Sequence, residues 1–147
     1  MLGNDIVDLQ LATTQSNWRR KGYLNKIFTN EEQQEIWNAP NPETMVWLFW
    51  SMKEAAYKIV NRESLQRFYS PKSFKCFVNF SEYSYNGKVV YEEYEFNTVS
   101  EVTTNFINTT AISEHNRKFE HYLFNNEGSY IQQFNEFSNQ FRLIKDE

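Results

Sequence analysis

Cysteine is scarce: Cys76 is the only one among 147 residues. No internal disulfide can form, and a cysteine-based zinc site is excluded. That scarcity suits a reducing cytoplasm, the expected location. Long apolar runs are missing too. The longest, Met45 to Trp50, falls far short of the about 20 residues that a membrane-crossing helix needs. The start, Met1-Leu2-Gly3-Asn4-Asp5, has no basic region followed by a long apolar run, so no signal peptide is expected. No surplus of positive charge exists. Lys and Arg number 15 against 19 Asp and Glu, for a net charge of −4. This argues against a general nucleic-acid binder. A polyanionic ligand would need a local basic cluster or a metal. Internal repeats and low-complexity blocks are absent as well.

What is present can build a core. Hydrophobic residues make up 40% of the chain and aromatics 18%, enough for burial to offset ordering entropy in one domain spanning 1–147. Residues 2–9 (LGNDIVDL) read as a short strand ending near Asp8, which caps the turn that follows. Residues 15–26, polar and basic around Trp18, read as a short helix. Thr29 with Glu32 three residues on is a capping box, and a helix should run from it to about Trp37. Asn41 as N-cap and Pro42 at the first position start another. From Glu43 to about Asn61, Met45, Leu48, Met52, Ala55 and Ile59 recur at steps of three and four and form a core stripe.

After Pro71 the composition turns β-branched and aromatic. Strands are expected over 74–80, 88–96, 102–112 and 118–124. Asn86-Gly87 is a hairpin signal between the first two, and Glu114-His115-Asn116 a turn before the last. Residues 130–144 carry Ile131, Phe134, Phe137, Phe141 and Ile144 at helical spacing, which suggests a terminal amphipathic helix. A strand, then helices, then an antiparallel sheet make an α+β chain. Cys76, in the first sheet strand, reads as a small buried hydrophobe.

Two segments carry the chemistry: Gly3-Asn4-Asp5 at the start and Trp50-Ser51-Met52-Lys53-Glu54-Ala55-Ala56-Tyr57-Lys58 inside the long helix. Trp50, Glu54 and Lys58 are spaced by four and share one helix face beside the apolar stripe. Mg²⁺ takes hard oxygen ligands, usually one or two carboxylates, with phosphate oxygens and waters around them. A carboxylate on a strand and another on a packed helix could supply these, and a lysine one turn on could hold a phosphate as a point charge. Taken alone, each part has an ordinary reading: Glu54 and Lys58 form a favourably oriented helix pair, and Asp5 is a strand-end carboxylate.

Together the segments resemble the 4′-phosphopantetheinyl transferase superfamily, in particular its short, single-domain holo-acyl-carrier-protein synthase branch. That family shows Gly-x-Asp near the N-terminus and later an aromatic-x-x-Lys-Glu-Ala/Ser-x-x-Lys. Ile27-Phe28-Thr29-Asn30-Glu31-Glu32 resembles the family's stretch between them, so residues 2–62 carry the likeness. The resemblance implies that family's fold, with N-terminal strand and helices packed on an antiparallel sheet. It implies Mg²⁺ held by Asp5 and Glu54, with coenzyme A as co-substrate. Glu54 and Lys58 would be the catalytic residues, and Lys58 and Lys53 phosphate contacts. The carrier's serine would attack the β-phosphate and 3′,5′-ADP would leave. The implied partners are coenzyme A and an apo acyl carrier protein, and the implied assembly is a homo-oligomer, commonly a trimer in that branch. Asn4 stands where the family has an aliphatic residue. Asn108-Thr109-Thr110-Ala111-Ile112-Ser113 lies where many members carry a Ser-x-Ser-His-like strand, without its histidine; His115 and His121 follow.

Arg19, Arg20, Lys21 and Lys26, with Arg62, Arg67 and Lys72, could form a 3′-phosphate pocket, a surface for an acidic carrier, or merely a solvated surface. Among them Lys26 is the candidate nucleotide contact. The other functional reading is a non-catalytic module that binds coenzyme A or a carrier protein on the same fold.

Overall fold

A computed structural model describes residues 1–65, 69–80 and 85–113, all within one compact unit. The first strand, β1 (Leu2–Asp8), ends where expected, and Asp8 caps helix α1 (Leu9–Gln15): its Oδ1 accepts the Leu11 N–H at 3.0 Å. The helix expected over 15–26 is not continuous. The chain turns after Gln15 and resumes as α2 (Tyr23–Ile27), entered through Gly22 at φ 85°. A left-handed residue cannot continue a right-handed helix, and the turns allow Trp18 to be buried to 2% exposure.

The next two helices start at the signals read from sequence. Both halves of the capping box form at α3 (Asn30–Asn38): Thr29 Oγ1 accepts the Glu32 N–H at 3.2 Å, and Glu32 accepts the Thr29 N–H at 2.9 Å. Asn41 Oδ1 accepts the Thr44 N–H at 3.2 Å, opening α4 (Pro42–Ser64) with Pro42 in its first turn. Met45, Leu48, Met52, Ala55 and Ile59 are all buried. The stripe expected from their spacing is the seam between α4 and the sheet.

That sheet has five antiparallel strands in the order β1-β5-β4-β3-β2. The others are β2 (Lys75–Phe80), β3 (Tyr85–Tyr91), β4 (Tyr94–Val102) and β5 (Phe106–Ser113). Two corrections concern its turns. Asn86-Gly87 is not a turn: both residues lie inside β3, opposite Asn79 and Val78. Glycine is needed there because a Cβ at position 87 would sit 2.6 Å from the Phe77 carbonyl oxygen and 2.8 Å from Met52 Cε. The stretch 88–96 is also not one strand. It reverses at Glu92-Glu93, with Glu92 at φ 53°, so β3 and β4 are a hairpin. A second reversal, at Thr103, separates Val102 from β5; the Thr103 hydroxyl accepts the Asn105 and Phe106 N–H groups at 3.2 and 3.0 Å.

The N-terminal strand and the helices therefore stand on an antiparallel sheet, the α+β arrangement expected. Helix α4 lies chiefly across β1 and β5. The expected strand over 118–124, the turn at Glu114-His115-Asn116, the helix over 130–144, both histidines and Arg67 lie outside the described residues.

Candidate active site

Strand β1 and helix α4 come together at one point because Gly3 has no side chain. A Cβ there would lie 2.0 Å from the Ala55 carbonyl oxygen and 3.0 Å from Ile59 Cγ1. The contact faces the two sequence segments toward each other, and α4 stitches itself to the strand beside it. Ser51 Oγ donates to the Asp5 carbonyl at 3.3 Å, Lys58 Nζ to the Asn4 carbonyl at 2.7 Å, and Arg62 Nη1 to the Leu2 carbonyl at 2.7 Å. Lys58 Nζ also pairs with Asp5 Oδ1 at 2.8 Å. This pair is partly exposed, so it contributes little to stability. It does place a partly exposed cation beside a carboxylate.

Glu54 stands on the same face of α4. Its carboxyl is pushed above the usual carboxylate range, first by burial and then by the like charge of Asp5; the Tyr69 hydroxyl and Lys58 pull it down. Tyr69 in turn is pushed well above the ordinary phenol value, chiefly by burial and then by the Glu54 charge. The Tyr69 hydroxyl is buried and close enough to Glu54 to shift it, yet among the described residues it closes no hydrogen bond of standard geometry. Aromatic rings wall this spot. Tyr69 lies 4.3 Å from Tyr57, 5.9 Å from Phe74 and, edge on, 6.3 Å from Trp50 by ring centroids. Phe74 stacks on Tyr91 at 4.3 Å.

Asp5 and Glu54 suit a divalent cation of the hard type. They are two carboxylates in mutual electrostatic reach, and Glu54 carries a burial and like-charge penalty that a cation would relieve. Among the described residues no group of three His, Cys, Asp or Glu side chains gathers to cage a metal. A two-carboxylate set fits Mg²⁺, which leaves the rest of its octahedron to phosphate and water, and not a zinc-type cage.

The structure thus joins Asp5, Glu54 and Lys58. It does not join the other two expected contacts to them. Lys53 is fully buried, and its ammonium donates to the Glu32 carboxylate at 2.9 Å, to the Pro71 carbonyl at 3.0 Å and to the Phe74 carbonyl. An ammonium has three donors, all used here, so Lys53 has none to offer a phosphate. Lys26 is exposed in the last turn of α2, within a depression of ≈ 290 Å³ that Arg20, Lys21 and Tyr23 also line. Helix α2 packs on the 3-10 turn Pro71–Ser73, which carries Lys72. The basic residues therefore gather on neighbouring elements.

Two contributors lie outside the two segments. Tyr69 had no signal: it sits beyond the helix with no fixed spacing to Glu54. Thr109 pairs with Asp5 across β1 and β5, and its hydroxyl shares a 2.8 Å hydrogen bond with Ser100. On the opposite face of the sheet, Asn4 Nδ2 donates to Asn108 Oδ1 at 2.7 Å. The segment lacking the family's histidine thus does border the site. Cys76 is buried, as expected, and burial pushes its thiol far above the ordinary value.

Comparison with known proteins agrees with this geometry. A family model described as the 4′-phosphopantetheinyl transferase superfamily matches residues 1–130. A search of curated protein sequences returned no match. Among solved structures, the fold is similar to that of holo-[acyl-carrier-protein] synthase from Neisseria meningitidis, with a TM-score of 0.59 and 16% identity. The match covers 77% of this chain and 96% of that one.

Proposed function

The chain belongs to the 4′-phosphopantetheinyl transferase superfamily, and from that premise we propose that it moves the 4′-phosphopantetheine arm of coenzyme A onto a serine of an apo acyl carrier protein. The observation that carries the reading is the meeting of Asp5, Glu54 and Lys58 where β1 touches α4. Asp5 and Glu54 would hold Mg²⁺ against the pyrophosphate of coenzyme A. When bound, the metal neutralises charge on the phosphate oxygens. Lys58, half exposed beside Asp5, can swing its ammonium to a phosphate. The serine oxygen forms a new bond to the β-phosphorus while the bond to the bridging oxygen breaks. 3′,5′-ADP departs with that oxygen, and the serine proton goes to a water or a site carboxylate. Phosphoryl transfer of this kind depends mainly on positioning and charge neutralisation.

The basic depression on α2 and the Lys72 turn would receive the nucleotide's 3′-phosphate or the acidic carrier. Assembly into an oligomer in the cytoplasm completes the reading. The sheet face turned away from α4 leaves Ile6, Phe77 and Val99 exposed as apolar contacts. No described helix is long and apolar enough to cross a membrane.

The test is incubation of the purified protein with coenzyme A, Mg²⁺ and several apo carrier proteins, with acceptor masses read by mass spectrometry. A gain of one phosphopantetheine, lost with Glu54→Gln or on chelating the metal, supports the reading. Binding of coenzyme A without transfer to any carrier would favour the non-catalytic module.

A further inference from the structure

Lys53 and Glu54 are neighbours in the chain but point to different sides of α4. Glu54 faces the site; Lys53 enters the interior, where it is 0% exposed against the 2% of Glu32. The Glu32 carboxylate is itself held from two further sides, by the Thr29 N–H at 2.9 Å and the Cys76 N–H at 2.8 Å. Lys53 therefore has a rigid anchor on α3 and β2. Its remaining donors go to the carbonyls of Pro71 and Phe74, the two ends of the short segment that follows Tyr69. We infer that Lys53, anchored by Glu32, is a positioning residue for the active site: it clamps the Pro71–Phe74 segment and thereby keeps Tyr69 against Glu54.

The inference rests on the transferase reading above and gives Lys53 a role that the paired motif does not state. The energetics favour a positional role. A buried ion pair is seldom the most stable filling for its space, and a pair of apolar residues of like volume often does as well. An apolar side chain cannot grip two carbonyl oxygens. Helix α3 and the Pro71–Phe74 segment converge on one ammonium, and the ring beside that segment, Tyr69, packs on Phe74 and on Trp50 and Tyr57, which flank Glu54 on α4. Among the described residues the Tyr69 hydroxyl closes no hydrogen bond of standard geometry, so ring packing and the segment that follows it hold it in place. A loose segment would let the ring drift from the carboxylate. Displacing a group that supports a metal ligand typically costs about 10- to 100-fold in metal affinity or activity.

The experiment is a cycle of full-length variants: wild type, Tyr69→Phe, the pair Glu32→Gln/Lys53→Met, and their combination. The paired substitution removes both charges together, so no lone buried ion is left behind; thermal unfolding checks that each variant is folded. Transfer to a carrier protein yields kcat and KM. A second readout needs no turnover: free Mn²⁺ counted by electron paramagnetic resonance with coenzyme A present. Tyr69→Phe is expected to weaken Mn²⁺ uptake and kcat by about tenfold in the wild-type background. It should change neither in the paired background, because the ring is already displaced there. Glu32→Gln alone leaves the buried Lys53 ammonium without its counter-ion and is the harsher variant; where thermal unfolding shows it folded, it should likewise shrink the effect of Tyr69→Phe. If that effect is undiminished in either background, Lys53 serves the fold alone and the inference is overturned. Wild-type protein that neither transfers nor takes up Mn²⁺ with coenzyme A would instead sink the transferase reading, and this inference with it.

Discussion

Gly3→Ala should damage fold and site together. The added methyl would lie 2.0 Å from the Ala55 carbonyl oxygen, and ordinary contact begins at 3.4 Å. The obstacle is helix backbone in the middle of α4, so no rotamer change relieves it, and strand and helix must part by more than about 1 Å to restore ordinary contact. Overpacking of this kind costs about 1–3 kcal/mol, which in a chain of this size lowers Tm by roughly 3–10 °C. Asp5 lies two residues along the same strand, and its partner Lys58 is one turn past Ala55. A misplacement of about 1 Å between reacting groups can cost about 100-fold in rate. Thermal unfolding by circular dichroism and transfer read by mass spectrometry measure the two effects. Gly22→Ala is the control: φ is 85°, nothing lies within 4 Å of its Cβ, and the cost is about 1–2 kcal/mol of backbone strain. It should cost far less turnover than Gly3→Ala, because it lies away from the β1–α4 contact. A Gly3→Ala protein that melts and turns over like wild type would refute the close-contact argument.

Glu54→Gln should abolish transfer yet raise Tm at neutral pH in the absence of metal. The folded-state carboxyl is raised above its unfolded value, so the folded chain binds that proton more tightly. Its contribution to stability is present below the unfolded carboxylate value of about 4.3 and is lost as pH rises through the folded value. The advantage of Gln should therefore fade below about pH 4, and equal melting curves at pH 7 would contradict it. Lys58→Met should lower kcat by about tenfold or more while stability moves by less than about 1 kcal/mol, because its ion pair with Asp5 is partly exposed. A large loss in Tm would make Lys58 structural. Cys76 should resist iodoacetamide at pH 8 in the folded protein, since it is buried and its thiol is raised by that burial. Labelling at the rate of the denatured chain would contradict its placement.

Legibility followed the range of the signals. Capping is local: Asp8, Thr29 with Glu32, and Asn41 each act within three residues, and each forms the hydrogen bond its spacing implies. The stripe along α4 is also local, because helical geometry puts positions three and four apart on one face. Glycine misled at Gly87, where the requirement comes from Phe77 and Met52, residues distant in the chain. At Glu92 a turn forms without any turn-favouring residue, because the strands on either side pair and force the reversal.

For the site, the sequence alone determined which carboxylates and which lysines were available, and on which helix face Glu54 and Lys58 fall together. Only the tertiary structure decided their fates. Two lysines of one motif, five residues apart, end up with opposite roles. Lys58 reaches out of the helix to Asp5, while Lys53 turns inward to Glu32 and two carbonyls. Helical spacing says that they face different ways, but not which way is inside. That depends on where the sheet lies, and the sheet is assembled from strands at both ends of the described chain, β1 pairing with β5. The role of Tyr69 has the same origin. Its place against Glu54 follows from long-range packing across the Pro71 turn, and nothing in its neighbours along the chain encodes it.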